Sequence, residues 1–319
     1  MASDALNAYL MAKQGTVARS GELVARVDRL LDFWGKKTLA DITEATCTEY
    51  VASRSTPAAA RRELEDLSAA VKKSIADGVC RELVKVTLPP KPKGRVRFLT
   101  RDEVARLLWT AWRWKEIQRG EVTAKYTTRH VARYILAALY TGSRSSRVCR
   151  ASFHPEDGRP WFDLDSGIFY RMSPGEKVQP NKRAPPIRIP SRLLAHMKRW
   201  RAKGYRYAVE YNKRPADPKK AFRETVTRAK LSGDVVRHTF RHTSVTWLMQ
   251  AGLDKYEVAG FAGMSEKVLD EVYGHHHPDH QGQVSDAFST GRAGRSGGHT
   301  VDNRGSKRAK TSTESRLKA

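Results

Sequence analysis

Cysteine is scarce. Cys47, Cys80 and Cys149 are the only three in 319 residues. Their spacing suggests neither a disulfide scaffold nor a cysteine-rich zinc site, and it suits a reducing compartment. Long apolar runs are missing too: none approaches the roughly 18 residues of a membrane span. The opening MASDALNAYLMAKQG lacks the basic start and long apolar middle of a secretory signal. Acidic residues are in short supply, with 34 Asp+Glu against 59 Lys+Arg and a net charge of +25. A surplus of that size calls for a polyanion, and DNA or RNA is the usual one. The expectation is a soluble, cytoplasmic, nucleoid-associated protein. Repeats at solenoid periods are absent as well.

The length suits two domains with cores of their own. The first ninety residues read as helices. ELVARVDRLLDFWG places Val24, Val27, Leu30, Leu31 and Trp34 on one face and stops at Gly35. TPAAARREL opens another helix, with Thr56 as N-cap and Pro57 at its first position, continuing through Leu64, Leu67, Val71 and Ile75. Its other face carries Arg61, Arg62, Lys72 and Lys73, candidates for phosphate contacts. LPPKPKGRVRF then breaks every period with three prolines, a glycine and four basic residues, among them Lys91, Lys93 and Arg95. It reads as a basic linker along a nucleic-acid backbone.

Beyond the linker, TRDEVARLLWTAW opens with a capping box from Thr100 to Glu103. HVARYILAALYTG is a strongly apolar helix stopped by Gly142. WFDLDSGIFYRM reads as a hairpin turning at Asp165-Ser166-Gly167, with Ile168, Tyr170 and Met172 alternating, and PPIRIP as a third strand. Helical patterns run from Arg192 to about Tyr273. The fold class expected is mainly α with a small antiparallel β-sheet (α+β). Its boundaries fall at 1–90 for an all-α N-terminal domain, 91–97 for the linker, 98–284 for the second domain and 285–319 for a disordered basic tail.

One stretch poses the functional question. In RHTFRHTSVTWLMQAG, Phe240, Val245, Leu248 and Ala251 recur near a helical period, yet His238 and Arg241 lie on the same stripe. A buried cation costs several kcal/mol unless an anion meets it. Arg144 follows a helix end in YTGSRSSR. Lys177 sits between two strands in SPGEKVQPNKR, and Tyr273 stands 32 positions after Arg241.

In this order and spacing, TGSR, EKVQPNKRAPPI, HTFRHT and the following tyrosine resemble the tyrosine recombinase (phage integrase) family. The resemblance spans the second domain, and the N-terminal helices look like the family's SAM-like, DNA-clamping core-binding domain. It implies a catalytic set of Arg144, Lys177, His238, Arg241 and Tyr273. It further implies a C-shaped clamp on duplex DNA, a homotetramer on paired attachment sites, a 3′-phosphotyrosyl intermediate and a Holliday junction. No cofactor, metal or ATP is implied. An accessory bending or excision factor is compatible with it. Integration or excision of a mobile element is the expected role, and chromosome-dimer resolution uses the same machinery.

The chemistry agrees. Forked arginine donors fit phosphate oxygens and can stabilise the charge that builds on an attacked phosphodiester. His238 is expected to assist the nucleophile Tyr273, and Lys177 to protonate the leaving 5′-oxygen.

Two positions depart from the family's pattern. Met264 stands nine residues before Tyr273, where relatives have His or Trp, and it cannot donate to phosphate. His275 is a candidate replacement donor. Arg147 stands where an acid is usual, with no partner evident in the sequence. A catalytically lapsed DNA-binding regulator of the same fold is therefore the main alternative, and a type IB topoisomerase shares the chemistry. A metal-dependent nuclease built on His275, His276, His277, Asp279 and His280 is disfavoured, because adjacent histidines in an extended segment do not converge.

Overall fold

The computed structural model describes residues 1–17, 20–81, 84–92, 97–176 and 183–277. The chain divides into two compact units, Met1–Arg95 and Val96–Ala319. Lys93, Arg95, Lys177, Asp279, His280 and the basic tail lie outside the described residues.

The first unit is four helices, α1 (Ala2–Lys13), α2 (Ser20–Trp34), α3 (Glu44–Ser53) and α4 (Pro57–Ala76). Thr56 caps α4 by accepting from the Ala59 amide at 3.2 Å, with Pro57 in the first turn, where its missing N–H costs nothing. The core gathers Leu6, Leu30, Trp34, Tyr50, Leu64 and Leu67. Two details differ from the periodicity. On α2 the buried face is Leu23, Val27, Leu30 and Trp34, while Val24 and Leu31 are half-buried. On α4 the apolar stripe ends at Val71, because Ile75 is exposed near the helix end.

The second unit is α+β. Its helices are α5 (Arg101–Arg113), α6 (Arg129–Thr141), α7 (Ser145–Arg150), α8 (Ser191–Ala202), α9 (Lys219–Arg228), α10 (Thr239–Gln250), α11 (Lys255–Ala262) and α12 (Glu266–Tyr273). Its strands are β1 (Ile117–Gln118), β2 (Glu121–Val122), β3 (Trp161–Asp163), β4 (Ile168–Tyr170), β5 (Ile187–Arg188), β6 (Glu210–Tyr211) and β7 (Arg214–Pro215). The sheet β3-β4-β5 is antiparallel throughout, with Phe162 opposite Phe169 and Phe169 opposite Ile187. The hairpins β1-β2 and β6-β7 are additions the sequence reading lacked.

The β3-β4 turn uses Gly167 at φ 71°. The buried face of this hairpin is the one that carries Phe162 and Phe169, not the one with Ile168 and Tyr170. Phe162 and Phe169 stack with centroids 3.7 Å apart and are fully buried, while Ile168 and Tyr170 are half-buried. Both faces of the hairpin carry large apolar residues, so alternation alone could not choose between them.

The capping box on α5 forms as read, with the Thr100 amide donating to Glu103 Oε2 at 2.9 Å and the Glu103 amide to Thr100 Oγ1 at 3.2 Å. The chain just before α5 is pinned to α10: the Leu99 amide donates to Thr243 Oγ1 at 2.9 Å, and Trp247 Nε1 donates to the Leu99 carbonyl at 3.1 Å. α6 is buried along nearly its whole length and packs against α5 and α10. The ends of α6, α10, α11 and α12 thus converge. No helix among the described residues is long and apolar enough to cross a membrane.

Candidate active site

Gly142 closes α6 in the left-handed conformation at φ 57°. A Cβ there would be strained and would come within 3.1 Å of Ser244 Oγ on α10. The turn delivers Ser143 and Arg144. Arg241, in the first turn of α10, reaches back with Nη1 to the Gly142 carbonyl at 2.9 Å and to the Ala262 carbonyl at 2.5 Å. One guanidinium therefore ties together the ends of α6 and α11.

Gly263 follows at φ 65°, so close to the chain opposite that a Cβ would stand 2.7 Å from the Arg183 carbonyl. That same carbonyl accepts from Arg144 Nη1 at 2.8 Å. Two residues on, the Pro185 carbonyl accepts from Arg171 Nε at 2.6 Å. Arg144, Arg171 and Arg241 are thus aimed by backbone carbonyls. Among the described residues none of the three makes an ion pair with a carboxylate.

Tyr273, the last residue of α12, is 3 % exposed. Its hydroxyl lies 2.6 Å from His242 Nδ1. The sequence assigned the part of helper to His238, whereas the ring within hydrogen-bond distance of the hydroxyl is that of His242. His238 is the residue before α10, and its ring stands perpendicular to that of His242, with centroids 4.8 Å apart. His242 lies inside the HTFRHT motif but was not among the expected site residues. Its signal was its place one residue past Arg241, on the first turn of α10.

Electrostatics match the geometry. Burial pushes the Tyr273 phenol up to about 12, and the Arg241 charge opposes that rise. Burial, then the neighbouring His238 and Arg241, bring His242 down to about 4. His238 is lowered by burial and by Arg241 and Arg144. Both imidazoles are therefore neutral at neutral pH, and His242 Nδ1 is the acceptor when Nε2 carries its proton. Burial, with Arg144 beside it, brings Arg241 down to about 10. Arg144 is lowered by burial and by Arg147. The arginines repel one another, and among the described residues no carboxylate pairs with Arg144 or Arg241.

Arg147 has the partner the sequence did not supply. Its two Nη groups grip both oxygens of Glu176 at 2.6 and 2.5 Å. Glu176 also accepts from the amide and hydroxyl of Ser173 at 3.2 and 3.3 Å. Its carboxyl is held down at about 2, first by Arg147. The pair secures the turn that ends at Glu176. Met264 is half-buried against the small core that holds Val245, Met249, Leu269 and Tyr273. His275 is exposed on the short turn after Tyr273, its ring 4.0 Å from that of His276. No group of three or more His, Cys, Asp or Glu among the described residues is placed to hold a metal.

The basic residues proposed for α4 are largely engaged. Arg61 and Arg62 each meet Glu65 at 3.2 Å, and Lys73 meets Asp77 at 2.7 Å. Lys72 and Lys91 are exposed. Arg62 and Lys72 retain the solvent access that a phosphate contact needs.

No family model matches this chain, and no curated protein matches its sequence. Solved structures do. The integrase of transposon Tn1549, in complex with transposon right-end DNA, is 15 % identical with a TM-score of 0.65, and the match covers 89 % of this chain and 99 % of that one. A lambda integrase tetramer bound to a Holliday junction is 16 % identical at a TM-score of 0.59, covering 84 % of this chain and 76 % of that one. The site-specific recombinase XerH, in a post-cleavage complex on a palindromic difH substrate, is 14 % identical at 0.56, covering 83 % and 78 %. At these identities the likeness establishes a shared fold.

Proposed function

We propose, from the premise that this chain has the tyrosine recombinase fold, that it is a site-specific DNA recombinase. The observation that carries the reading is the Tyr273 hydroxyl on His242, set in one site with Arg144 and Arg241, which pair with no carboxylate among the described residues. A scissile phosphate is the anion that suits them. A unit charge about 4 Å from a developing negative charge contributes roughly 4 kcal/mol at an effective dielectric of 20. Two such cations, Arg144 and Arg241, supply much of what an attack on a phosphodiester needs.

The proton inventory explains why the nucleophile is quiet at rest. A phenol pushed up to about 12 beside an imidazole brought down to about 4 does not ionise. An arriving phosphate reverses the bias on the imidazoles, because a nearby anion favours their charged form. His242 then takes the phenol proton as Tyr273 Oη bonds to phosphorus. The 5′-oxygen leaves with a proton, and Lys177 is the donor we assign to it. The 3′-phosphotyrosyl bond conserves the energy of the phosphodiester. A 5′-hydroxyl from the partner duplex reverses the step.

The N-terminal helical unit, with Arg62, Lys72 and the basic linker residues Lys91, Lys93 and Arg95, is assigned to gripping duplex DNA. Exchange through a Holliday junction within a homotetramer, on the attachment sites of a mobile element, completes the reading. The mechanism as drawn needs neither ATP nor a metal.

Covalent trapping tests it. Wild type and Tyr273→Phe are incubated in EDTA with nicked suicide duplexes cut from DNA flanking the gene, then run on denaturing gels. The reading expects a protein–DNA adduct with wild type alone. Tight, specific binding without an adduct would favour the lapsed regulator, for which Met264 is the motive.

A further inference from the structure

Arg171 follows β4 directly, two residues past Phe169 and therefore on the same, inward face. It is 2 % exposed, among the largest fully buried side chains of the protein. Its Nε donates to the Pro185 carbonyl at 2.6 Å, and Nη1 reaches Ser143 Oγ at 3.5 Å, the limit of a hydrogen bond. Its Nη2 is buried with no partner among the described residues. Burial brings it down to about 9, helped by charges that among the described residues are all cationic: Arg241, Arg144 and Arg147. A scaffold arginine in such a place normally meets a carboxylate, because an unpaired buried charge is strongly unfavourable.

Arg171 also borders the position of the missing donor. A cavity of about 540 Å³ is lined by Arg171, Arg183, Pro185, Gly263 and Met264 among others. Methionine cannot donate to an oxyanion, whereas the free Nη2 can. The arginine shares a cavity with the residue that departs from the pattern.

We propose that Arg171 is a positioning residue of the phosphate site, holding the Ser143–Arg144 turn against the 183–186 segment and leaving a buried positive charge that only a docked phosphate satisfies. The inference rests on the phosphate reading of the site. It makes the empty site unfavourable by design, and it couples anion binding to the stability of the second unit. It also gives the chain a second source of positive field where Met264 supplies none.

Wild type, Arg171→Met and Arg171→Lys are melted with increasing inorganic phosphate at constant ionic strength, and the three are compared in the suicide-duplex assay. Without phosphate, Arg171→Met should melt at or above the wild-type temperature, since methionine fills the site without a charge. Its phosphate-induced rise should need about tenfold more phosphate, as befits one lost charge-assisted hydrogen bond. Arg171→Lys should recover part of the response. Adduct formation should slow in the same order while duplex affinity stays close to wild type.

An Arg171→Met chain that fails to fold, or melts well below wild type yet keeps the wild-type phosphate response, would make Arg171 a mere tether and overturn the proposal. So would a wild type that forms the adduct but gains no stability from phosphate. A wild type that forms no adduct and ignores phosphate would instead bring down the reading of the site beneath it.

Discussion

The two units treat buried charge in opposite ways. In the first, Glu63 is 2 % exposed and receives Tyr50 at 2.8 Å, Arg54 at 2.8 and 3.1 Å and Arg29 at 3.2 Å. Asp66 receives Arg26 at 2.5 Å and Tyr9 at 3.0 Å. Each buried acid there is fully met by side chains of its own unit. In the second, Arg171 and Arg241, 2 % and 6 % exposed, hydrogen-bond among the described residues only to carbonyls and a hydroxyl. Satisfied charge fixes a scaffold, whereas unsatisfied charge of one sign marks where a ligand of the other sign belongs. Arg133 shows the limit of that rule. It is 4 % exposed and donates to the Glu210 carbonyl at 2.6 Å, but its guanidinium lies over the Tyr205 ring at 3.8 Å and the Glu210 charge supports it.

Substitutions on the two sides of the comparison should separate activity from stability. The largest effect is expected from Arg241→Ala, which should slow adduct formation roughly 10²–10³-fold, the cost typical of losing one preorganised charge donor at a transition state. Single-turnover gels check it. His242→Gln should cost roughly 10²-fold, the lower end of general-base contributions, and should remove the acidic limb from the pH–rate profile. An unchanged profile would return the role to His238.

On the scaffold side, Glu63→Gln should destabilise the first unit by about 2–3 kcal/mol in urea melts, as the loss of charge-assisted hydrogen bonds dictates. Adduct formation by the protein that remains folded should be unaffected. Met264→His should raise the cleavage rate about tenfold, by adding back one charge-assisted bond. A fall would mean that the methionine's packing against the core of Tyr273 matters more than its missing donor.

The smallest effect concerns pH. His242 is lowered to about 4 when folded, so between the unfolded value near 6.5 and 4 the unfolded chain binds the extra proton. Stability is therefore full above about 6.5 and falls as pH drops towards 4, a slope that His242→Gln should flatten in thermal melts. Glu176 acts lower still: its depressed carboxyl stabilises the fold above its ordinary value of 4.5 and loses that effect as pH falls towards 2. Glu176→Gln should lie below wild type at neutral pH and converge with it in acid.

Local rules were legible wherever they were carried by neighbours in the chain. Thr56 with Pro57, the box from Thr100 to Glu103 and the stop at Gly142 each depend on residues within a turn, and each takes the form read from the sequence. The strand positions needed more than local pattern. Phe162 and Phe169 meet across the hairpin, and their stacking decides which face is inside, which also decides that Arg171 is buried rather than exposed. An arginine in phase with Phe169 was the available signal.

Long-range pairings were not legible at all. Arg147 finds Glu176 29 positions away, and Tyr273 finds His242 31 positions away. The burial of Glu63 and Asp66 is not legible from α4 alone, because their partners Tyr9, Arg26, Arg29, Tyr50 and Arg54 come from outside that helix. The motif that carries the family resemblance located the arginines and the tyrosine. It took the convergence of helix ends to show that His242 touches the tyrosine and that, among the described residues, no carboxylate pairs with Arg144 or Arg241.

The most direct measurement is to find which atom holds the DNA. Adduct trapped on a suicide duplex would be digested with trypsin and nuclease, and the nucleotide-bearing peptide sequenced by mass spectrometry. The account expects a single phosphotyrosine at Tyr273, in the peptide that begins after Lys267. A nucleotide on any other residue, or an adduct that Tyr273→Phe forms as readily as wild type, would contradict it.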